Sequence, residues 1–243
     1  MNRTKKAPDS ETDVNVVFFD LFFTLITPEY RDMRNENDVL GLTRTEWETY
    51  AEDDELYLKR ASGKEKNPQQ IIRDIVGKMK INATEKEINE LLELRKGRMK
   101  RALINVNPII LDVLSDLKKS KKKLCLISNA DVIDAMYWDK SPLSRFFDYA
   151  VFSYEVGYLK PETTIYRIAL EKMNARPEEC IFIGDGGSDE LSGAKEARIR
   201  TILTSRLLKR SNKIQNKIKE FADYSIEDFA EVRRILLGNN DDQ

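Results

Sequence analysis

Apolar residues gather into six short runs along the chain: VNVVFF at 14–19, KLCLIS at 123–128, YAVFS at 149–153, ECIFIG at 179–184, TILTS at 201–205 and ADYSI at 222–226. Short runs rich in β-branched and aromatic residues read as strands covered on both faces. The stretches between them follow a different rhythm. Asn107-Pro108 supplies an N-cap and a first-turn proline, and Ile110, Val113, Leu114 and Leu117 follow at helical spacing. Ile165, Ile168, Ala169 and Met173 mark one face of a helix over 162–174. Residues 189–198 begin acidic, which suits the positive end of a helix, and 226–237 follow Ser225 as N-cap. Strands alternating with helices predict an α/β fold, a doubly wound parallel sheet with helices on both faces.

Residues 27–105 break the alternation. No strand pattern occurs there. Helical spacing runs from Trp47 to Leu58, then through Ile71, Ile72, Ile75, Val76 and Met79, then from Ile88 through Leu91 and Leu92 onward. Thr84 and Glu87 form a capping box for the last of these, and Lys64 to Pro68 read as a polar loop. The division this predicts is an α/β core over 13–26 and 106–243, an α-helical cap over 27–105, and a disordered lead over 1–12. Trp47, Tyr50 and Tyr57 fall near one helix face and read as core, and the basic run RKGRMKR at 95–101 reads as a solvated helix end.

Composition narrows the chemistry. The net charge is −1 with both signs interspersed, so the chain is not expected to bind nucleic acid. No apolar run reaches membrane-spanning length, and the first residues lack the apolar stretch of a signal peptide. Cys125 and Cys180 lie inside apolar runs and read as packed, reduced thiols, which points to the cytoplasm. There is no histidine at all. Ser-His-Asp and Cys-His catalysis and histidine-held zinc are therefore excluded. A metal must be held mainly by oxygen, which favours magnesium or a similar hard cation.

In parallel α/β sheets, ligands bind at the carboxyl ends of the strands. Three of the apolar runs end in polar residues: Asp20, Ser128 with Asn129, and Asp185. Here the chain resembles the haloacid dehalogenase superfamily, over about residues 14–237. FFDLFFTL matches that family's Asp-x-x-x-Thr motif with Asp20 and Thr24. LCLISN matches its strand ending in Ser or Thr with Ser128. GYLKPE matches its lysine with Lys160. IFIGDGGSDELSGA matches its acidic motif with Asp185, then Asp189 and Glu190. The resemblance implies a Rossmann-like core with a helical cap after the first motif. It implies that Asp20 is a covalent nucleophile and that Asp20, Asp185 and the backbone carbonyl of Phe22 hold Mg2+. Glu190 or Asp189 then holds metal-bound water, and Glu190 is preferred because Gly193-Ala194 fit the family's longer spacing. Ser128 and Lys160 contact the transferring group, Asn129 is an extra donor, and Thr24 braces the first loop.

One position departs from the resemblance. The family's phosphatases carry a second Asp two residues after the nucleophile, as general acid and base, and here Phe22 stands there. Three readings follow. The first is hydrolysis of small phosphorylated metabolites through an aspartyl-phosphate, with a good leaving group or with an acid from the insert such as Glu29, Asp32, Glu36 or Asp38. The second is a 2-haloacid-type dehalogenase, whose halide needs no proton, with Arg31 or Arg34 near the halide. The third is a weakly active or non-catalytic binding protein of the same fold. The first ranks highest, because the acids Asp185, Asp189 and Glu190 serve no purpose without a metal. A closed lid predicts a small-molecule partner, and the chain is expected to be a monomer or homodimer.

Overall fold

The computed structural model describes residues 14–31 and 33–238. The expected lead over 1–12 and the candidate acid Asp32 lie outside them. Six parallel strands form one sheet in the order β3-β2-β1-β4-β5-β6. They are β1 (Val16–Phe19), β2 (Lys123–Ser128), β3 (Tyr149–Phe152), β4 (Cys180–Gly184), β5 (Arg200–Thr204) and β6 (Tyr224–Ile226). Each coincides with one of the apolar runs.

Alternate residues of each strand point to opposite faces, and both faces are covered. Val17 and Phe19 join Leu124, Leu126, Ile181 and Ile183 on one side. There they pack against α6 (Pro108–Lys119) and α12 (Glu231–Leu237). Val16, Phe18, Cys125, Ile127 and Phe182 face the other side, against α9 (Thr163–Met173) and α10 (Glu190–Glu196). This is the doubly wound, Rossmann-like core that the alternation predicts. Cys125 and Cys180 are buried and unbridged.

Five helices occupy the chain between β1 and α6: α1 (Glu36–Val39), α2 (Arg44–Ala51), α3 (Asp54–Ala61), α4 (Pro68–Lys78) and α5 (Glu85–Ile104). They bury their own apolar cluster around Trp47, Ile72, Ile75 and Leu91. Ile133 joins it from the short α7 (Val132–Ala135), which follows β2. The Thr84–Glu87 capping box starts α5.

Two readings of the pattern need correction, and two further helices were not foreseen. The single helix expected from Trp47 to Leu58 is two, because the Asp53 side chain accepts the Leu56 N–H at 3.2 Å and starts a new helix. Trp47 and Tyr57 therefore sit on different helices. Ser225 is not an N-cap: it lies in β6, and the last helix begins at Glu231. Its carboxylate instead holds the turn by accepting the Glu227 and Asp228 N–H groups, both at 3.2 Å. The helix α11 (Asn212–Lys219) was passed over, although Ile214, Ile218 and Phe221 stand at helical spacing and Ile218 packs against the core; the stripe is short and none of the helix's residues is fully buried. A further short helix, α8 (Ser153–Val156), follows β3 and ends at Gly157 in the left-handed conformation.

Candidate active site

Parallel strands present their carboxyl ends at one edge, and neighbouring strands lie about 4.8 Å apart. The chain fills the sheet from β1 outward to β3, then returns to the other side of β1 for β4. The crevice at this reversal is where ligands bind in such sheets. Asp20 follows β1 directly, and its N–H donates to the Ile183 carbonyl of β4 at 2.9 Å. Asp185 follows β4, and Ser128 closes β2. Topology alone thus draws these three distant residues together.

Glu190 opens α10 and turns back onto the same edge, where its Oε1 accepts the Gly186 N–H at 2.9 Å. Gly184 gives it room, because a Cβ there would overlap the Glu190 carboxylate. Gly193 has a similar role one turn later. A Cβ at that position would overlap the Pro161 carbonyl, so α10 can lie directly against the turn that carries Lys160. Asp20, Asp185 and Glu190 are buried, and each offers a carboxylate oxygen within 4.8 Å of the others. Oxygen donors so grouped fit a hard divalent cation of the magnesium type.

Lys160 Nζ lies 2.5 Å from Asp20 Oδ1 and 2.5 Å from Glu190 Oε2. Burial opposes its charge, but the two carboxylates outweigh burial and hold the ammonium above its ordinary range. Burial also pushes the Asp20 carboxyl up; Lys160 pulls it back, and Asp185 adds to the rise. Glu190 is raised by burial and then by Asp20. Carboxylates crowded in this way resist sharing one site without a cation among them.

The remaining candidates divide. Ser128 is fully buried, and its hydroxyl meets no hydrogen-bond partner among the described residues. Thr24 is buried beside Asp20 without a full hydrogen bond, and it favours the Asp20 carboxylate weakly. Asn129, expected as an extra donor, lines the cavity with one of its two Nδ2 hydrogens already committed. Its Oδ1 accepts the Lys160 N–H at 2.7 Å and its Nδ2 donates to the Lys160 carbonyl at 2.9 Å, so it positions that lysine. Asp189 is exposed and stands outside the carboxylate cluster, which Glu190 enters. Phe22 is half-buried and forms part of the cavity wall.

Asp20, Phe22, Asn129, Lys160, Asp185 and Glu190 line a cavity of about 750 Å³ whose far wall comes from the helices between β1 and α6, while Ser128 and Thr24 are buried behind that lining. Arg44, Glu52, Tyr57, Arg60, Arg95 and Arg98 contribute to it. Two of these contradict the solvated reading of RKGRMKR, for Arg95 and Arg98 are only 4% and 8% exposed. Arg95 Nη2 donates to Asp131 Oδ2 at 2.7 Å and Asp134 Oδ1 at 3.0 Å. Arg60 Nε adds a second cation 3.0 Å from Asp131 Oδ2. Arg98 pairs with Glu36 at 2.9 Å and lies 4.4 Å from the centre of the Tyr30 ring. The helical spacing held a signal for this. Leu91, Arg95, Arg98 and Ala102 share one face of α5, the face that carries its apolar stripe. Arg210 had no such signal. It lies in the loop after β5, and its guanidinium donates to the Asp185 side chain and main chain, both at 2.5 Å.

Of the acids proposed to replace the one missing at Phe22, Glu36 is buried in the Arg98 pair and Asp38 accepts the Asn35 N–H at 2.8 Å. Glu29 is exposed and lines the cavity. Glu52, which pattern reading passed over, also lines it and has one oxygen 3.1 Å from Arg60. Its side chain is 62% exposed to the open cavity, and the partial desolvation there raises its carboxyl above the ordinary range, against the pull of Arg60. Arg31 is exposed and lines a cavity other than the one that holds Asp20, and Arg34 is engaged by Glu90 at 2.5 Å.

An acidic cluster with a buried lysine thus lies at the reversal of a doubly wound sheet. The family comparison then fixes the class: haloacid dehalogenase-like hydrolase matches residues 14–198, and the chain belongs to that family. It is 37% identical over 112 residues to the rhythmically expressed gene 2 protein of Drosophila melanogaster, covering 44% of this chain and 43% of that one. It is 30% identical over 141 residues to the glyceraldehyde 3-phosphate phosphatase of Methanothermobacter thermautotrophicus, covering 57% and 62%. These matches span less than two thirds of either relative. Among solved structures, a haloacid dehalogenase-family enzyme of Bacteroides thetaiotaomicron, in complex with magnesium and inorganic phosphate, superposes with TM-score 0.62 at 21% identity over 83% of this chain and 98% of that one. The L-2-haloacid dehalogenase of Xanthobacter autotrophicus superposes with TM-score 0.61 at 15% identity over 93% and 99%. At these identities the superpositions establish the fold.

Proposed function

We propose that the chain is a Mg2+-dependent hydrolase of small phosphorylated metabolites, working through an aspartyl-phosphate on Asp20 beneath a helical cap formed by residues 27–105. The observation that carries this reading is the cluster of Asp20, Asp185 and Glu190 within 4.8 Å, with Lys160 touching two of them. A halide site has no use for three clustered carboxylates, whereas a phosphate dianion beside them requires added positive charge. The phosphatase relative supports the same substrate class.

Asp20, Asp185, Glu190 and the Phe22 carbonyl would hold the metal, which when bound offsets the charge between nucleophile and phosphate. Asp20 Oδ attacks phosphorus in line and the leaving oxygen departs; water then cleaves the acyl phosphate and frees Asp20. Lys160 stabilises charge on the transferring oxygens. The Ser128 hydroxyl, which has no partner among the described residues, donates to one of them. Asn129 keeps Lys160 in place through both main-chain contacts. The cap excludes bulk water, which strengthens these interactions. Phe22 cannot move a proton, so the leaving group must depart with little help or take its proton from a cap carboxyl such as Glu52 or Glu29.

Dehalogenation remains a second reading, motivated by the apolar side chain at Phe22 and the direct Lys160–Asp20 contact. Assaying phosphate release from p-nitrophenyl phosphate and small sugar and acid phosphates, with Mg2+ and with chelator, separates the two. Metal-dependent phosphate release is expected. Halide release from 2-haloacids with chelator present would overturn the proposal, and ligand binding without either product would point to a non-catalytic binder.

A further inference from the structure

Every carboxylate in the cluster is answered by a cation of the protein itself. Lys160 serves Asp20 and Glu190, and Arg210 serves Asp185. The Arg210 contact has two arms. Nη2 donates to Asp185 Oδ2 and Nη1 to the Asp185 carbonyl, each at 2.5 Å, while the Gly187 N–H donates to Oδ1 at 3.1 Å. Arg210 is mostly buried, its side chain 17% exposed, and it lines the same cavity as Asp20 and Lys160. It belongs to the loop between β5 and α11, not to an element that fixes it rigidly.

A guanidinium at contact distance from one carboxylate oxygen opposes a divalent cation arriving at the same carboxylate, since like charges in a poorly solvated site repel strongly. We propose that Arg210 couples metal binding to anion binding. In the metal-free chain it is the counter-ion of Asp185; a divalent cation displaces it from Oδ2, and the phosphate group of the substrate takes it up. The arm on the main-chain carbonyl keeps the guanidinium tethered beside the cavity during the exchange. A planar fork suits both partners, because it matches carboxylate and phosphate oxygens equally well. Metal and phosphate therefore bind more tightly together than either does alone, beyond what direct contact between them provides. This inference rests on the reading of the site as a metal and phosphate site.

The test is calorimetric titration of the full chain with Mg2+, in the absence and presence of saturating inorganic phosphate. Wild type, Arg210→Met and Arg210→Lys are compared. Without phosphate, Arg210→Met is expected to bind Mg2+ about tenfold more tightly than wild type, because the competitor is gone. Phosphate should then tighten Mg2+ binding in wild type by a factor roughly tenfold larger than in Arg210→Met, a size usual for coupled sites. Arg210→Lys keeps the charge without the fork and should fall between them. Equal or weaker Mg2+ binding by Arg210→Met without phosphate, or an unchanged phosphate effect, overturns the coupling. Absence of Mg2+ binding by wild type overturns the metal-site reading itself, and the coupling with it.

Discussion

Arg95 offers a test of how the helices between β1 and α6 are held to the sheet. The residue is 4% exposed, and its guanidinium answers Asp131 at 2.7 Å and Asp134 at 3.0 Å, both on the segment that follows β2. Arg95→Met keeps most of the apolar stem and removes the charge. Breaking a buried pair from one side costs about 3–5 kcal/mol, because the other charge is left without its partner. Two features place this site at the low end. Asp131 keeps Arg60 at 3.0 Å, and its Oδ1 keeps the Ile133 and Asp134 N–H groups at 2.7 and 3.1 Å. A loss of about 3 kcal/mol follows, again on the buried-pair scale. For a chain of this size each kcal/mol moves Tm by roughly 2–4 °C, so a fall of about 6–12 °C is expected. The assay is thermal unfolding near pH 7, with urea unfolding to show a lower midpoint at unchanged slope. Adding Asp134→Asn removes one of the abandoned charges, and the double variant should lose less than the sum of the two single losses. A Tm within about 2 °C of wild type would refute the reasoning and restore the solvated reading of the 95–101 run.

Two further outcomes are expected. Phe22→Asp should raise kcat/KM on alkyl phosphates by about 10²–10⁴-fold and leave p-nitrophenyl phosphate nearly unchanged, since only the poor leaving group needs a proton; equal effects on both would show that Phe22 does not stand where an acid works. Asp223 accepts from Lys195 and from the Thr201 N–H, and these outweigh burial to hold its carboxyl below the ordinary range. Its stabilisation is therefore present above the unfolded value near pH ~3.9 and is lost as pH falls through the lower folded value. Asp223→Asn should melt below wild type at pH 7, with the gap closing in strong acid, and a gap independent of pH would contradict that assignment.

Much of the fold was legible because strands covered on both faces must be apolar throughout, and each of the six runs became a strand. The meeting of Asp20, Ser128 and Asp185 was legible for a topological reason: a parallel sheet puts all its carboxyl ends at one edge. What was not legible depended on side chains crossing between elements. Nothing in the order of residues says that Arg210 reaches Asp185 from the loop after β5, or that Arg60 and Arg95 converge on Asp131. The charge run at 95–101 misled because a basic string looks solvated until it is laid on the buried face of α5. The break at Asp53 was missed because an acidic residue reads equally well as helix surface and as N-cap. Glu190 over Asp189 was favoured by the small residues that follow it. The cause is visible at Gly193, where α10 lies against Pro161 and so brings Glu190 to Lys160.

The central claim is that Asp20 becomes phosphorylated. The most direct measurement is acid quenching of the chain during turnover of a phosphorylated substrate with Mg2+, followed by peptide mass spectrometry. The account predicts one added phosphoryl group on the peptide carrying Asp20, lost in Asp20→Asn and lost with chelator. Turnover with no adduct on that peptide, or an adduct that survives the Asp20→Asn change, would contradict it.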